Sequence, residues 1–130
     1  MSASSDLYQE QILDHYKHPR NKGPLPGASL QARDSNPLCG DEVTLRMKVE
    51  GSHLISEVRF EGRGCAISQA SASMLTTIVK GKAVRDAEAL DRDAILKALG
   101  IPLSAARLKC ALLPLNVLKL ALGNKTDVGV

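Results

Sequence analysis

The sequence of 130 residues is 44% hydrophobic and 24% charged, with a formal net charge of +3. These proportions are close to globular averages, so we expect a single folded domain, residues 1–130, with one modest core. The only aromatic residues are Tyr8, Tyr16 and Phe60, and the basic residues form no run of like charge. A surface that stacks nucleic-acid bases needs aromatic residues interleaved with basic ones, so this composition excludes a base-stacking nucleic-acid partner.

The three cysteines, Cys39, Cys65 and Cys110, are too few and too odd in number for a disulfide framework. The polar first ten residues have no apolar region typical of a signal peptide, and no segment approaches the roughly 18 apolar residues of a membrane span. We therefore expect a cytoplasmic location and no membrane partner. In a reducing compartment, cysteines more often bind metals or act in catalysis than form disulfides.

In chain order, the first half predicts one helix followed by strands. The helix covers residues 5–17, with Ser5 as its N-cap, an apolar stripe of Tyr8, Ile12 and Tyr16, and an end at His18-Pro19. A weak strand over residues 28–32 precedes two clear strands, residues 42–50 and 54–62, which a short turn joins into an antiparallel hairpin.

The second half predicts four helices. They cover residues 66–80, 84–90, 91–99 and about 105–122, with Asp91 and Ser104 as N-caps of the last two and Gly100 as a C-cap. Small side chains fill residues 66–73, which allows close approach of another backbone. Pro114 interrupts the last helix and predicts a kink or a freed carbonyl at Cys110. Strands first and helices later indicate an α+β fold.

Two of the cysteines lie at element boundaries beside glycine. Cys39 is in the turn-rich segment Asn-Pro-Leu-Cys-Gly-Asp before a strand, and Cys65 follows Gly64 at a helix N-terminus, where the helix dipole favours a thiolate. The separations of 26 and 45 residues match no zinc finger. From spacing alone, a site of three thiolates and the Asp41 carboxylate competes with a simpler alternative, in which the cysteines are small buried residues and Asp41 is a turn residue.

The histidines offer a weaker signal. His15 and His18 are spaced i, i+3 at the end of the first helix, where a solvated helix end is the expected role rather than a metal site. His53 falls in the hairpin turn and is expected to be exposed. No pattern places a histidine beside a thiol, and no phosphate-binding loop occurs.

The motifs together resemble the iron–sulfur cluster assembly scaffolds of the IscU/SufU/NifU N-terminal family. The resemblance is carried by DHYKHPRN at residues 14–21, NPLCGD at 36–41, FEGRGCAISQASAS at 60–73 and ARLKCA at 106–111. It implies a compact α+β domain in which a small three-stranded antiparallel sheet packs against about five helices. It also implies that Cys39, Asp41, Cys65 and Cys110 gather to hold zinc, iron or a transient [2Fe–2S] cluster.

The function implied by the resemblance is that of a scaffold or carrier rather than an enzyme. Such a protein accepts sulfur from a cysteine desulfurase, builds a cluster and transfers it to apo iron–sulfur proteins, as a monomer or weak homo-oligomer. The alternative is a zinc-dependent sulfurtransferase in which Cys39 accepts the persulfide. A third hypothesis is a structural zinc domain that only mediates contacts.

Three departures from the family pattern bear on the subtype. Lys109 precedes the third cysteine, where the IscU branch has histidine, and residues 101–107 lack the Leu-Pro-Pro-Val-Lys motif of that branch. The helix-length insertion usual in SufU proteins is also missing. The sequence is thus mixed and leans towards SufU. Protonated Lys109 cannot ligate a metal, but its charge suits a thiolate or an incoming persulfide.

Overall fold

The computed structural model describes residues 3–37 and 40–123, and within them one antiparallel sheet carries the fold. Its three strands are β1 (Leu30–Asn36), β2 (Asp41–Val49) and β3 (Ile55–Arg63), in the order β1-β2-β3. In the register, Asn36 lies opposite Asp41 and Glu42 lies opposite Arg63. The start of the central strand β2 therefore lies beside the ends of both neighbours.

Five helices are found in the described residues. They are α1 (Ala3–Lys17), α2 (Ala66–Val79), α3 (Val84–Glu88), α4 (Arg92–Leu99) and α5 (Ala105–Gly123). The predicted α+β fold, with its three-stranded antiparallel sheet and about five helices, is confirmed.

One face of the sheet supplies the core, as the alternating pattern of β2 and β3 predicts. Val43, Leu45 and Met47 of β2 are fully buried, and so is Phe60 of β3. The alternate residues of β2 face outward and are half-buried or exposed. A register shift at Lys48/Val49 ends this alternation before the turn.

Helices α2 and α5 cover the apolar face of the sheet. Helix α5 contacts β1, β2 and α2, whereas α1 packs mainly against α2. The small side chains at the start of α2, including the buried Ala70 and Ala72, permit this close packing. The ends of α2 and α5 that carry cysteines therefore lie over the same end of the sheet.

The caps of the last two helices match their predictions. The Asp91 side chain accepts a hydrogen bond from the Ala94 backbone N–H, and Gly100 ends α4 with a φ of 71°. The Ser104 hydroxyl accepts from the Arg107 N–H at 3.3 Å. Pro114 lies inside α5, which continues past it to Gly123, so the proline does not end the helix.

Three predictions of local structure were wrong in detail. Helix α1 begins at Ala3, so Ser5 is inside it rather than at its N-cap. The core-facing side of α1 carries Ile12 and His15, whereas Tyr16 is 45% exposed. Strand β1 covers Leu30–Asn36 rather than residues 28–32, since its pairing with β2 determines its length.

No helix in the described part of the chain is long and apolar enough to cross a membrane.

Candidate metal centre

The structure brings together three of the four predicted ligands. One ligand atom each from Asp41, Cys65 and Cys110 lies within 4.8 Å of the other two. Donor atoms around a tetrahedral zinc ion are roughly 3.5–4 Å apart, because metal–ligand bonds are about 2.0–2.3 Å long. The fourth predicted ligand, Cys39, lies outside the described residues.

Asp41 is placed by a tight turn at the start of β2. The Gly40 N–H donates to the Asn36 carbonyl at 2.9 Å, and Gly40 has a φ of 73°, which glycine adopts without strain. Because Asn36 and Asp41 are paired across the two strands, this bond closes the loop directly beside the ligand. The Asp41 side chain is turned inward and is only 1% exposed.

Cys65 occupies the N-cap position of α2, with extended backbone angles of φ −72° and ψ 166°. The prediction that this thiol lies at a helix N-terminus is confirmed. Gly64 precedes it with a φ of 142°, and a Cβ atom at Gly64 would lie 2.9 Å from the Cα of Asp41 and closer still to its Oδ1. The backbone of residues 64 and 65 therefore packs directly on the Asp41 carboxyl group.

Cys110 comes from the first half of α5 and is 2% exposed. Its Sγ lies 3.7 Å from the Ala106 carbonyl oxygen, one turn earlier in the helix. A buried cysteine amid leucines would by itself fit a core residue. Its position near Asp41 and Cys65 makes it a candidate ligand as well.

The two oxygens of the Asp41 carboxyl group have different surroundings. Oδ1 accepts a hydrogen bond from the Cys65 N–H at 2.9 Å and one from the Ser68 hydroxyl at 3.2 Å. Oδ2 is buried, and no residue in the described part of the chain hydrogen-bonds to it. A buried carboxylate oxygen without a partner is costly, and a cation bound there would satisfy it.

The donor set fits both metals that the sequence suggested. Soft thiolates suit zinc and iron–sulfur iron, and the single carboxylate adds a harder and more exchangeable ligand. This fit depends on two observations: the Asp41 carboxyl group lies close to two sulfur atoms, and its buried Oδ2 has no hydrogen-bond partner among the described residues.

The surroundings of the centre are partly basic. Glu42, the residue after Asp41, forms ion pairs with Arg33 and with Arg63, the latter at 3.4 Å. Exposed Lys109 lines a cleft of about 370 Å³, together with Asn36, Pro37 and residues of α5. Asn36 and Pro37 are the described residues that come just before Cys39 in the sequence.

The histidines are not part of this centre. His15 is 8% exposed and its Nδ1 lies 2.7 Å from the Ser73 Oγ, so the prediction of a solvated position was wrong for it. The reason is that its side of α1 packs on α2. His18 and His53 are exposed, as predicted.

Sequence reasoning missed Ser68 and the contact between Gly64 and Asp41. By residue type, Ser68 is only one of the small residues of α2. The available signal was its place three residues after Cys65, in a first helical turn that holds no acidic residue. A polar side chain at that position faces back toward the N-cap.

Comparison with known proteins places the chain in a family. Residues 7–126 match the model of the NifU-like N-terminal domain. The chain belongs to this family. It is 38% identical to the zinc-dependent sulfurtransferase SufU of Bacillus subtilis (strain 168), a match that covers 87% of each chain. It is 34% identical to the iron-sulfur cluster assembly scaffold protein IscU 1 of Archaeoglobus fulgidus, over 89% of this chain and 74% of the relative.

A solved structure is similar to this chain in fold and in sequence. The putative iron-sulfur cluster assembly scaffold protein for the SUF system from Fervidobacterium islandicum AW-1 superposes with a TM-score of 0.74 at 32% identity, covering 93% of this chain and 100% of that one. NifU-like N-terminal domains thus include relatives with both names, scaffold and sulfurtransferase, and both hypotheses drawn from the sequence occur within the family.

Proposed function

We propose that this NifU-like domain is an iron–sulfur cluster assembly scaffold. It accepts sulfur from a cysteine desulfurase, assembles a [2Fe–2S] cluster on Cys39, Asp41, Cys65 and Cys110, and passes the cluster to apo-proteins. The observation that carries the proposal is the buried Asp41 carboxyl group, which lies close to the sulfur atoms of Cys65 and Cys110 and whose Oδ2 has no hydrogen-bond partner among the described residues. A mixed set of thiolates and one carboxylate suits a site that must release its cargo, whereas four thiolates hold it more firmly.

Covalent geometry supports Cys39 as the fourth ligand. Only Gly40 separates Cys39 from Asp41, and two residues of chain span at most about 7 Å. The bond between the Gly40 N–H and the Asn36 carbonyl holds these two flanking residues together next to Asp41. The same closeness in sequence supports Cys39 as the thiol that meets the desulfurase.

Sulfur transfer would be a thiol exchange. The Cys39 thiolate attacks the terminal sulfur of the desulfurase persulfide, a new S–S bond forms, the old S–S bond breaks, and the desulfurase cysteine leaves as a thiolate. The products are a persulfide on Cys39 and a free desulfurase thiolate, so no external oxidant is needed. Lys109, exposed on the neighbouring cleft, places a positive charge where the anionic persulfide would enter.

The second candidate is a zinc-dependent sulfurtransferase that delivers sulfur without building a cluster. Two observations favour it: Lys109 precedes the third cysteine, and the chain is 38% identical to a relative named as such an enzyme. The same four residues would then hold Zn²⁺, which stabilises thiolates and keeps them nucleophilic when bound. Cys39 would still accept the sulfur.

One anaerobic experiment separates the two candidates. The protein is incubated with ferrous iron, cysteine and a cysteine desulfurase, and its visible absorption and the transfer of cluster to an apo-ferredoxin are recorded. A labile cluster that transfers supports the scaffold. Retained zinc with a persulfide on Cys39 and no cluster would overturn it in favour of the sulfurtransferase. If Cys39→Ser leaves sulfur acceptance intact in a folded protein, Cys39 is not the acceptor.

Asp41→Ala tests the ligand set itself. Loss of the exchangeable carboxylate should trap a cluster on the remaining thiolates rather than prevent its formation. Unchanged metal content and unchanged cluster lifetime would show that Asp41 is only a turn residue.

A further inference from the structure

Asp41 is held through one oxygen only. The Cys65 N–H and the Ser68 hydroxyl both point at Oδ1, at 2.9 and 3.2 Å, whereas the buried Oδ2 has no hydrogen-bond donor from the described residues. The Cys65 N–H is backbone and is fixed by the helix start. Among the described residues, Ser68 is therefore the side chain that holds this carboxyl group by a hydrogen bond.

The Ser68 hydroxyl is itself oriented by its neighbours. Ser68 is fully buried, and the Gln69 Nε2 donates to its Oγ at 3.2 Å. The hydroxyl hydrogen is then left for two acceptors, the Asp41 Oδ1 at 3.2 Å and the Cys65 carbonyl oxygen at 3.1 Å. Both acceptors belong to predicted ligand residues.

From this geometry we infer that Ser68 is a positioning residue that makes Asp41 a monodentate ligand through Oδ2. The inference rests on the ligand set of the proposed function. With Oδ1 held by two donors, Oδ2 would be the oxygen left to bind a metal. If Oδ2 released the metal, the same two hydrogen bonds would keep the carboxyl group in place, so that it could return. Ser68 would thus support a ligand that exchanges without being lost.

A merely structural role for Ser68 predicts different behaviour. The serine would then cap its own helix through the Cys65 carbonyl, which lies three residues back. In that case its hydroxyl would contribute to the stability of α2 and would have no separate effect on metal binding. The two roles are separated by measuring metal affinity and stability on the same variants.

The test is Ser68→Ala, read out as Zn²⁺ affinity by competition with a chelator. Loss of a group that orients a metal ligand usually weakens affinity about 10–100-fold, and we expect a loss at the lower end, about tenfold. Replacement of zinc by Co²⁺ should also give a changed visible spectrum in Ser68→Ala, because the carboxylate is free to rotate. Neither measurement depends on sulfur transfer or cluster assembly.

Ser73→Ala is the matched control. It removes the same hydroxyl from the same helix at an equally buried position, but the partners of Ser73 are the His15 ring and the Arg20 N–H. It should lower thermal stability as much as Ser68→Ala or more, with unchanged zinc affinity. Ser68→Thr retains the hydroxyl and should keep zinc affinity near that of the original protein.

A double-mutant cycle tests whether Ser68 acts through Asp41. In an Asp41→Ala background, Ser68→Ala should cause no further loss of zinc affinity. An equal loss in both backgrounds, or a Ser68→Ala protein with the original affinity and cobalt spectrum, would overturn the inference. If zinc affinity behaves as expected but no sulfur is accepted, the proposed function fails while the role of Ser68 stands.

Discussion

At the scale of single residues, Gly64 is a position where the centre tolerates no side chain. A Cβ atom there would overlap the Asp41 carboxyl group and would lie 2.9 Å from the Asp41 Cα. We expect Gly64→Ala to displace the carboxylate, to weaken Zn²⁺ binding at least about tenfold and to cost about 2–4 kcal/mol of stability. Chelator competition and urea unfolding measure the two effects.

Gly23→Ala separates the clash from backbone strain. Gly23 has a φ of 139°, close to the 142° of Gly64, but nothing lies within 4 Å of the position that a Cβ atom would take there. Gly23→Ala should lower the free energy of unfolding by about 1 kcal/mol or somewhat more, because alanine is strained in this backbone conformation, and it should leave zinc affinity unchanged. If the two alanine variants bind zinc equally well, the packing of Gly64 on Asp41 has no role in the centre.

The hardness of the Asp41 ligand gives a second prediction at this scale. In Asp41→Cys, the new sulfur would stand near the present position of the Asp41 Cγ, and a metal–thiolate bond is about 0.1–0.3 Å longer than a metal–carboxylate bond, so a small shift of the surrounding backbone must make up the rest of the distance. Once that shift has occurred, a set of four thiolates should form, and it should hold its cargo more firmly. We expect slower transfer of a reconstituted cluster to an apo-ferredoxin, with at least as much cluster bound. Faster transfer than in the original protein would contradict this account of Asp41.

At the scale of elements, the attachment of α1 to α2 depends on one buried group of hydrogen bonds. The Ser73 Oγ accepts from the Arg20 N–H at 2.9 Å, so its hydrogen is available to the His15 Nδ1 at 2.7 Å. The Asn21 side chain donates to the Thr76 Oγ1 at 3.1 Å, one turn further along α2. The segment DHYKHPRN thus attaches the end of α1 and the following loop to α2. Its role lies in the fold rather than in the metal centre.

This attachment predicts a pH dependence of stability. Burial lowers the pKa of His15 below its ordinary value of 6.5, and the charge of Arg20 lowers it further. As pH falls below about 6.5, the unfolded chain binds a proton that the folded protein excludes, so the free energy of unfolding decreases until the folded pKa is reached. Stability should therefore be lower at pH 5.5 than at pH 7.5, as measured by urea unfolding.

His15→Asn removes this titration while it keeps an amide near Ser73, so stability should vary less between pH 5.5 and 7.5. His18→Asn is the matched control, because it removes an exposed imidazole from the same helix end. The pKa of Asp14 is also lowered, first by its hydrogen bond from Arg20. This shift changes stability only below about pH 4, so it does not affect the comparison between pH 5.5 and 7.5. If the stability of His15→Asn depends on pH as much as that of the original protein, the buried His15 ring is not the source of the pH dependence.

The sequence predicted strong elements well and weak ones poorly, for physical reasons. Strand β2 alternates apolar and polar residues, so its face and extent were evident. Strand β1 is an edge strand with largely exposed residues, and its length depends on pairing with β2 rather than on its own pattern. In α1, Tyr16 was assigned to the core face on hydrophobicity, but His15 takes the buried place because α2 offers it the Ser73 hydroxyl.

At the scale of the whole molecule, the centre depends on long-range packing that spacing alone does not reveal. Asp41, Cys65 and Cys110 come from β2, the start of α2 and α5, and they meet because both helices cover the same end of the sheet. The composition and spacing left a four-ligand site as one alternative, and the family resemblance singled it out. The roles of Gly64 and Ser68 follow only from the packing, since neither residue type by itself indicates a contact with a carboxylate.

Because the three elements are brought together only in the folded state, metal binding should stabilise the whole fold. At a free Zn²⁺ concentration of about 100 times the dissociation constant, binding to the folded state alone adds about 2.7 kcal/mol, or roughly 10 °C in Tm for a domain of this size. We expect that shift on adding zinc to chelator-treated protein, and its loss in Cys110→Ser. Asp91→Ala, which removes the N-cap of α4, a helix that supplies none of the predicted ligands, should lower Tm through a loss of about 1 kcal/mol but keep the zinc-dependent shift. An equal shift in Cys110→Ser would mean that zinc binds elsewhere, because a site without this thiolate could not stabilise the junction of β2, α2 and α5.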